Sequence, residues 1–281
     1  MTSITATARS RSAPSTAWGR PVLALARREL LTTRSYRLAF VLDLVFGVLG
    51  LAVYFFISRT FDDPAPGELG AAPSYFAYAA VGIALGLVID AATDGIASTV
   101  RGEQLTGTLE ALVAQPVTPL ELCLGLASFP LAFAVIRAAA YALVAGVWAS
   151  ADLSQASWPG LAVMLATSGL ALFSLGILAG AAVLVVKRGD DLVSVAVFGM
   201  TLVSGAVFPP SVLPGWLETI GRAIPLRFAF DGTRAALFTG AGWQDDALAL
   251  LAVAAVGLPL AVAVFAWALR FSKARGTLAG Y

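Results

Sequence analysis

Six stretches run for about the length of a bilayer crossing on residues that are apolar almost throughout: 38–57, 75–99, 120–148, 158–186, 192–208 and 247–269. A helix needs about 20 such residues to cross the hydrocarbon core. The fourth and sixth stretches hold no charged residue, and the fifth is short enough to need help from its flanks. A spanning strand would alternate apolar and polar positions. These runs do not alternate, so they read as helices, whose backbone polar groups are satisfied internally. Only 12% of the chain is charged, against about a quarter in a soluble domain. The expected fold class is therefore an all-α integral membrane protein with six transmembrane helices.

The cations give the spans a direction. Arg9, Arg11, Arg20, Arg27, Arg28, Arg34 and Arg37 precede the first span, opposed only by Glu29. Lys187 and Arg188 lie between spans four and five, and Arg270, Lys273 and Arg275 follow span six. With both termini in the cytoplasm, 13 Lys and Arg stand in inner loops and tails and 4 in outer ones. That agrees with the positive-inside rule. The Ala/Arg-biased start reads as a bacterial tail, so the expected location is the bacterial plasma membrane, multi-pass. Residues 1–17 read as disordered. Residues 18–37 interleave Val22, Leu23, Leu25, Leu30 and Leu31 with Arg27, Arg28 and Arg34, the pattern of an interfacial amphipathic helix on the bilayer surface. Residues 38–272 form the six-span domain and 273–281 a cytoplasmic tail.

Several functions are excluded or disfavoured. Histidine is absent, which removes His-based catalytic triads and most zinc sites; no catalytic and no metal-binding residue is assigned. The two lysines, Lys187 and Lys273, follow Val186 and Ser272, so no Gly-Lys-Ser/Thr phosphate loop is present. A net charge of +1 does not suggest a nucleic-acid binder. Cys123 has no second cysteine to pair with.

The inner loop between spans two and three carries Glu103, Gly107, Thr108 and Glu110, then Pro116 and Pro119. Thr108 and Glu110 suit the start of a short helix and the prolines its end. Glu103 and Glu110 are two turns apart and would face one way on a continuous helix, while Gly107 between them permits a bend. By spacing alone the loop is either a connector or a docking surface for another protein.

The pattern Glu-x-x-x-Gly-Thr-x-Glu followed by Pro-x-x-Pro resembles the inner loop of permease subunits of type-two ATP-binding-cassette (ABC) exporters. A second match is Ser204-Gly-Ala-Val-Phe-Pro-Pro-Ser-Val-Leu-Pro-Gly-Trp-Leu, with Ile224-Pro-Leu-Arg-Phe and Gly232-Thr-Arg after it. It is similar to that family's segment between spans five and six, except that Arg227 stands where the family usually has Thr. The resemblance covers about residues 20–272. It implies a permease working as a homo- or heterodimer with a separate ABC ATPase subunit. ATP would be hydrolysed by that partner, and this chain would bind no cofactor directly. The resemblance also makes the first inner loop a cytoplasmic coupling helix, its core at Gly107, Thr108 and Glu110. The implied activity is export of a hydrophobic or lipid-like substrate. A self-sufficient ion-coupled carrier or channel is the alternative; it leaves the docking-like loop without a purpose.

Pro209, Pro210, Pro214 and Pro225 cannot share one continuous spanning helix, and Trp216 suits the headgroup region. This stretch is expected to form a re-entrant outer segment of broken helices between spans five and six. Within the spans, Asp43, Asp90, Asp94 and Arg137 are costly to expose to lipid, and an ion pair between Asp90 and Arg137 is the expected arrangement. The Gly82/Gly86 and Gly176/Gly180 pairs permit close helix packing within the subunit.

Overall fold

The computed structural model describes residues 19–33, 37–60, 68–115, 117–149, 153–186 and 189–275. The N-terminal tail at 1–17, the loop acids Asp62 and Asp63, Pro116, the Lys187–Arg188 pair and residues 276–281 lie outside them, as do the side chains of Asp43 and Asp94. The described residues form helices and no strand. In order they are α1 (Arg20–Thr33), α2 (Arg37–Ser58), α3 (Tyr75–Leu105), α4 (Leu109–Val113) and α5 (Pro119–Ala149), then α6 (Trp158–Val185), α7 (Gly189–Val203), α8 (Gly215–Ala223), α9 (Pro225–Arg234) and α10 (Gln244–Arg275). A 3-10 turn at Pro210–Val212 precedes α8, and a π-helical turn at Ala235–Thr239 follows α9.

Four helices, α3, α5, α6 and α10, are long and apolar enough to cross a bilayer. α6 packs along α3 and α10, and α5 along α3. Gly176 brings α6 against the backbone carbonyl of Ala92 on α3, and a Cβ at Gly180 would stand 2.9 Å from Ile96 and 3.3 Å from Phe265. The Gly176/Gly180 pair thus serves packing inside the subunit. Gly82 meets the Ala206 backbone, whereas Gly86 faces open space. Two apolar clusters fill the bundle. One, at the end carrying α4, joins Ile96, Leu109, Leu126, Ile177, Phe265 and Leu269. The other, at the opposite end carrying α9, joins Ile89, Met164, Leu172, Phe230 and Leu250. A smaller one holds α2 to α3 and α5 through Leu51, Phe76 and Tyr141.

Three expected spans change their bounds, and one of them, α10, starts three residues before 247 and runs six past 269, to Arg275. The stretch 192–208 is not one helix: α7 stops at Val203, and its 15 residues extend only about 22 Å. The chain turns at Gly205, whose φ of +89° is a conformation other residues adopt at a cost. Pro209 and Pro210 then prevent the helix from resuming. α3, by contrast, runs six residues past the expected end at 99, to Leu105. α2 and α7 contain shorter apolar helices, Leu44–Ser58 and Asp191–Val203. Exposed side chains such as Phe46 and Phe56 on α2 and Val195 and Phe198 on α7 need an apolar surrounding, which is what lipid supplies.

Candidate coupling site and the buried arginine at the opposite end

α3 projects beyond the apolar clusters and closes at Thr106, whose hydroxyl donates to the Gly102 carbonyl at 2.9 Å. Gly107 (φ +71°) turns the chain, and α4 begins two residues later. The loop takes the bend, so Glu103 and Glu110 do not share an exposed face. Glu103 is buried. Its carboxylate accepts from the Arg28 guanidinium of α1 and from the Thr108 hydroxyl. It therefore joins α1, α3 and the start of α4, and is not free to meet another protein. Glu110 is exposed, one residue after Leu109, which is 1% exposed and sealed into the apolar cluster. Gly107 and Thr108 are exposed as well.

A second carboxylate works beside the first. Glu121 Oε2 accepts from Thr118 N at 3.0 Å and Thr118 Oγ1 at 2.8 Å, while Glu121 N donates to Thr118 Oγ1 at 3.2 Å. This is a reciprocal capping box at the start of α5. Glu121 Oε1 also accepts from Gly19 N at 3.3 Å, and Leu25 of α1 fills the notch at Gly125. α1 is thus fastened to α5 at its start and to α3 through Arg28, leaving Leu23, Leu30 and Leu31 exposed. Thr-Pro-Leu-Glu at 118–121 is the sequence signature of this capping box.

Asp90 is exposed on α3, and Arg137 is part-buried on α5 with its guanidinium 5.2 Å from the Phe133 ring centre. Neither is without a partner.

At the opposite end each proline sits where a helix has no use for its missing N–H. Pro209 precedes the 3-10 turn and Pro210 opens it, Pro214 precedes α8, and Pro225 is the first residue of α9. Trp216 is 67% exposed. The residue that organises this end is Arg234, which the sequence showed only as the last residue of a motif. It is 1% exposed. Its Nη2 donates to the carbonyls of Tyr78, Gly205 and Ala206 at 3.1, 2.9 and 3.0 Å. Asp231 lies 3.6 Å away and also accepts from Arg227 Nε at 3.3 Å. Arg227, the departure from the family pattern, thus shares an acid with the buried arginine.

A family model described as ABC-2 type transporter matches residues 20–238. The chain belongs to the ABC-2 type transporter family. No curated protein matches it at a significant level. The matched region opens at the first residue of α1 and closes in the π-helical turn, so it takes in both the α4 loop and the Arg234 end of this ABC-2 permease. As a family member it is an integral membrane component of an ABC transporter.

Proposed function

We propose that this permease is the translocating subunit of an exporter driven by a separate ABC ATPase, and that α4 is its coupling helix. One observation carries the reading: Leu109 is anchored in the bundle while Glu110, its neighbour, is exposed. A force on α4 from outside would pass through Leu109 to α3, α5, α6 and α10, whose side chains form the cluster around it. A bundle with two discrete packings turns such a push into alternating access.

In this reading the six stretches all cross, with α2 and α7 as the spans completed by lipid or by a second permease subunit. The α4 end faces the cytoplasm. It bears Arg20, Arg27, Arg28, Arg101, Arg270, Lys273 and Arg275 among the described residues. At the other end Arg222, Arg227 and Arg234 each have an acid beside them. The segment from Pro209 to Gly240 is then the re-entrant outer cap, and the substrate is hydrophobic or lipid-like. An antiparallel register supports the ion pair between Asp90 and Arg137. Gly95 of α3 packs on Pro130 of α5, a Cβ there standing 3.0 Å from Pro130. Five residues back and seven forward from that contact bring Asp90 and Arg137 to within about 3 Å in depth.

The test is co-reconstitution of the permease with a candidate ATPase in proteoliposomes. ATP-dependent flux of a hydrophobic substrate, absent when either subunit is omitted, is the expected result. Flux driven by an ion gradient through the permease alone would replace this reading with the carrier.

A further inference from the structure

Beside α4 the structure holds a cavity of about 330 Å³ between the start of α5 and the last turns of α10. Leu112, Val117, Leu122 and Ala266 are among its apolar walls, and Arg270 and Lys273 are its charged residues; no carboxylate lines it. The volume falls at the lower end of ligand-binding pockets. Arg270 donates through Nε to the Ala266 carbonyl of its own helix at 3.2 Å. No ion pair is found for Arg270 or Lys273 among the described residues. Depth matters as well. From Ala247 to Leu269 α10 rises about 33 Å, the thickness of the hydrocarbon core. Arg270 and Lys273 therefore fall at the level of one leaflet's phosphates, while Leu122 and Ala266, within spans three and six, form the part of the wall at acyl depth. Basic pockets between spanning helices on the cytoplasmic side suit anionic headgroups.

We infer that this cavity is a binding site for one anionic phospholipid, its phosphate between Arg270 and Lys273, its glycerol region beside Leu112 and Val117, and the upper part of an acyl chain against Leu122 and Ala266. The proposed function enters only in naming the leaflet, which is the cytoplasmic one if α4 faces the cytoplasm. A lipid seated there touches both α4 and α10, so it would fix how firmly the coupling helix rests on the last span.

The experiment uses the purified, delipidated permease alone, with phosphatidylglycerol and phosphatidylcholine of matched chains counted by native mass spectrometry. Phosphatidylglycerol should be retained in preference. R270Q/K273Q should weaken its binding about thirtyfold, as expected for two basic residues at a headgroup, while R222Q at the far end changes nothing. Ala266→Leu, which narrows the cavity and leaves both charges, should weaken it too. Equal retention of the two lipids, or an unchanged preference in R270Q/K273Q, overturns the site. Equal competition by soluble glycerol phosphate overturns the lipid in favour of a free phosphate. No ATP or partner is involved, so a failed flux assay and a failed lipid assay report on different claims.

Discussion

The guanidinium of Arg234 lies 3.5 Å from the centre of the Tyr78 ring, and the two side chains converge on one acceptor. The Gly205 carbonyl receives the Tyr78 hydroxyl at 2.7 Å and Arg234 Nη2 at 2.9 Å. That carbonyl is free to accept because α7 has ended and the chain has turned. A buried cation thus supplies the donors that a continuing helix would have supplied, and holds the end of α7 to α3 and α9.

Removing the cation should cost far more than removing the hydroxyl. Arg234→Ala removes three hydrogen bonds from a charged donor and should lower stability in detergent by on the order of 3 kcal/mol. Tyr78→Phe keeps the ring under the guanidinium and gives up only the hydroxyl's bonds, so about 1 kcal/mol is expected. Chemical unfolding followed by tryptophan emission compares them. Equal losses would mean that the Arg234 bonds add nothing.

The ends of α2, α5 and α6 lie within about two residues of the bounds read from the sequence, because each apolar run stops abruptly at polar or helix-breaking residues. The apolar run at 192–208 misled for the opposite reason. It continues past the point where the helix stops, and what stops it is Gly205 together with a partner from α9, some 30 residues on. Glu103 shows the same limit. Its spacing from Glu110 said nothing about Arg28, which lies 75 positions away. Proline positions were legible, since Pro209, Pro210, Pro214 and Pro225 forbid one continuous helix wherever they fold.

The topology is tested by single cysteines in a Cys123→Ser background, where Cys123 is buried. Glu68→Cys and Asp245→Cys, both exposed positions, should react with an impermeant thiol reagent added outside intact cells. Gln115→Cys, exposed beside α4, should react only after the membrane is opened. Labelling of Gln115→Cys from outside would invert the map.

Asp90 and Arg137 are expected to interact across the α3–α5 contact. Each alanine substitution should lower the yield of folded protein, because each strands a charge. The double substitution should recover part of the loss, with a coupling energy of about 1 kcal/mol. Strict additivity would exclude direct contact.

Glu103 and Glu110 should fail in different ways, and this separates a structural carboxylate from a docking one. Glu103 is buried and holds Arg28 and Thr108. Glu103→Ala should release α1 and loosen the α4 turn, lowering stability and expression before any partner is added. Glu110 is exposed, and an exposed ion pair contributes only about 0–1 kcal/mol. Glu110→Ala should therefore leave insertion, stability and most of the assembly with the ATPase intact, yet lower substrate flux for each ATP hydrolysed. Glu110→Lys should act more strongly in the same direction if the partner surface is basic. ATPase rate and flux are measured side by side in proteoliposomes, with thermal stability of the permease alone as the control. An unchanged ratio of flux to hydrolysis in both Glu110 variants would remove the coupling role from Glu110. A Glu103→Ala permease as stable as the parent would mean that the bonds from Arg28 and Thr108 are not what holds α1 and α4 in place.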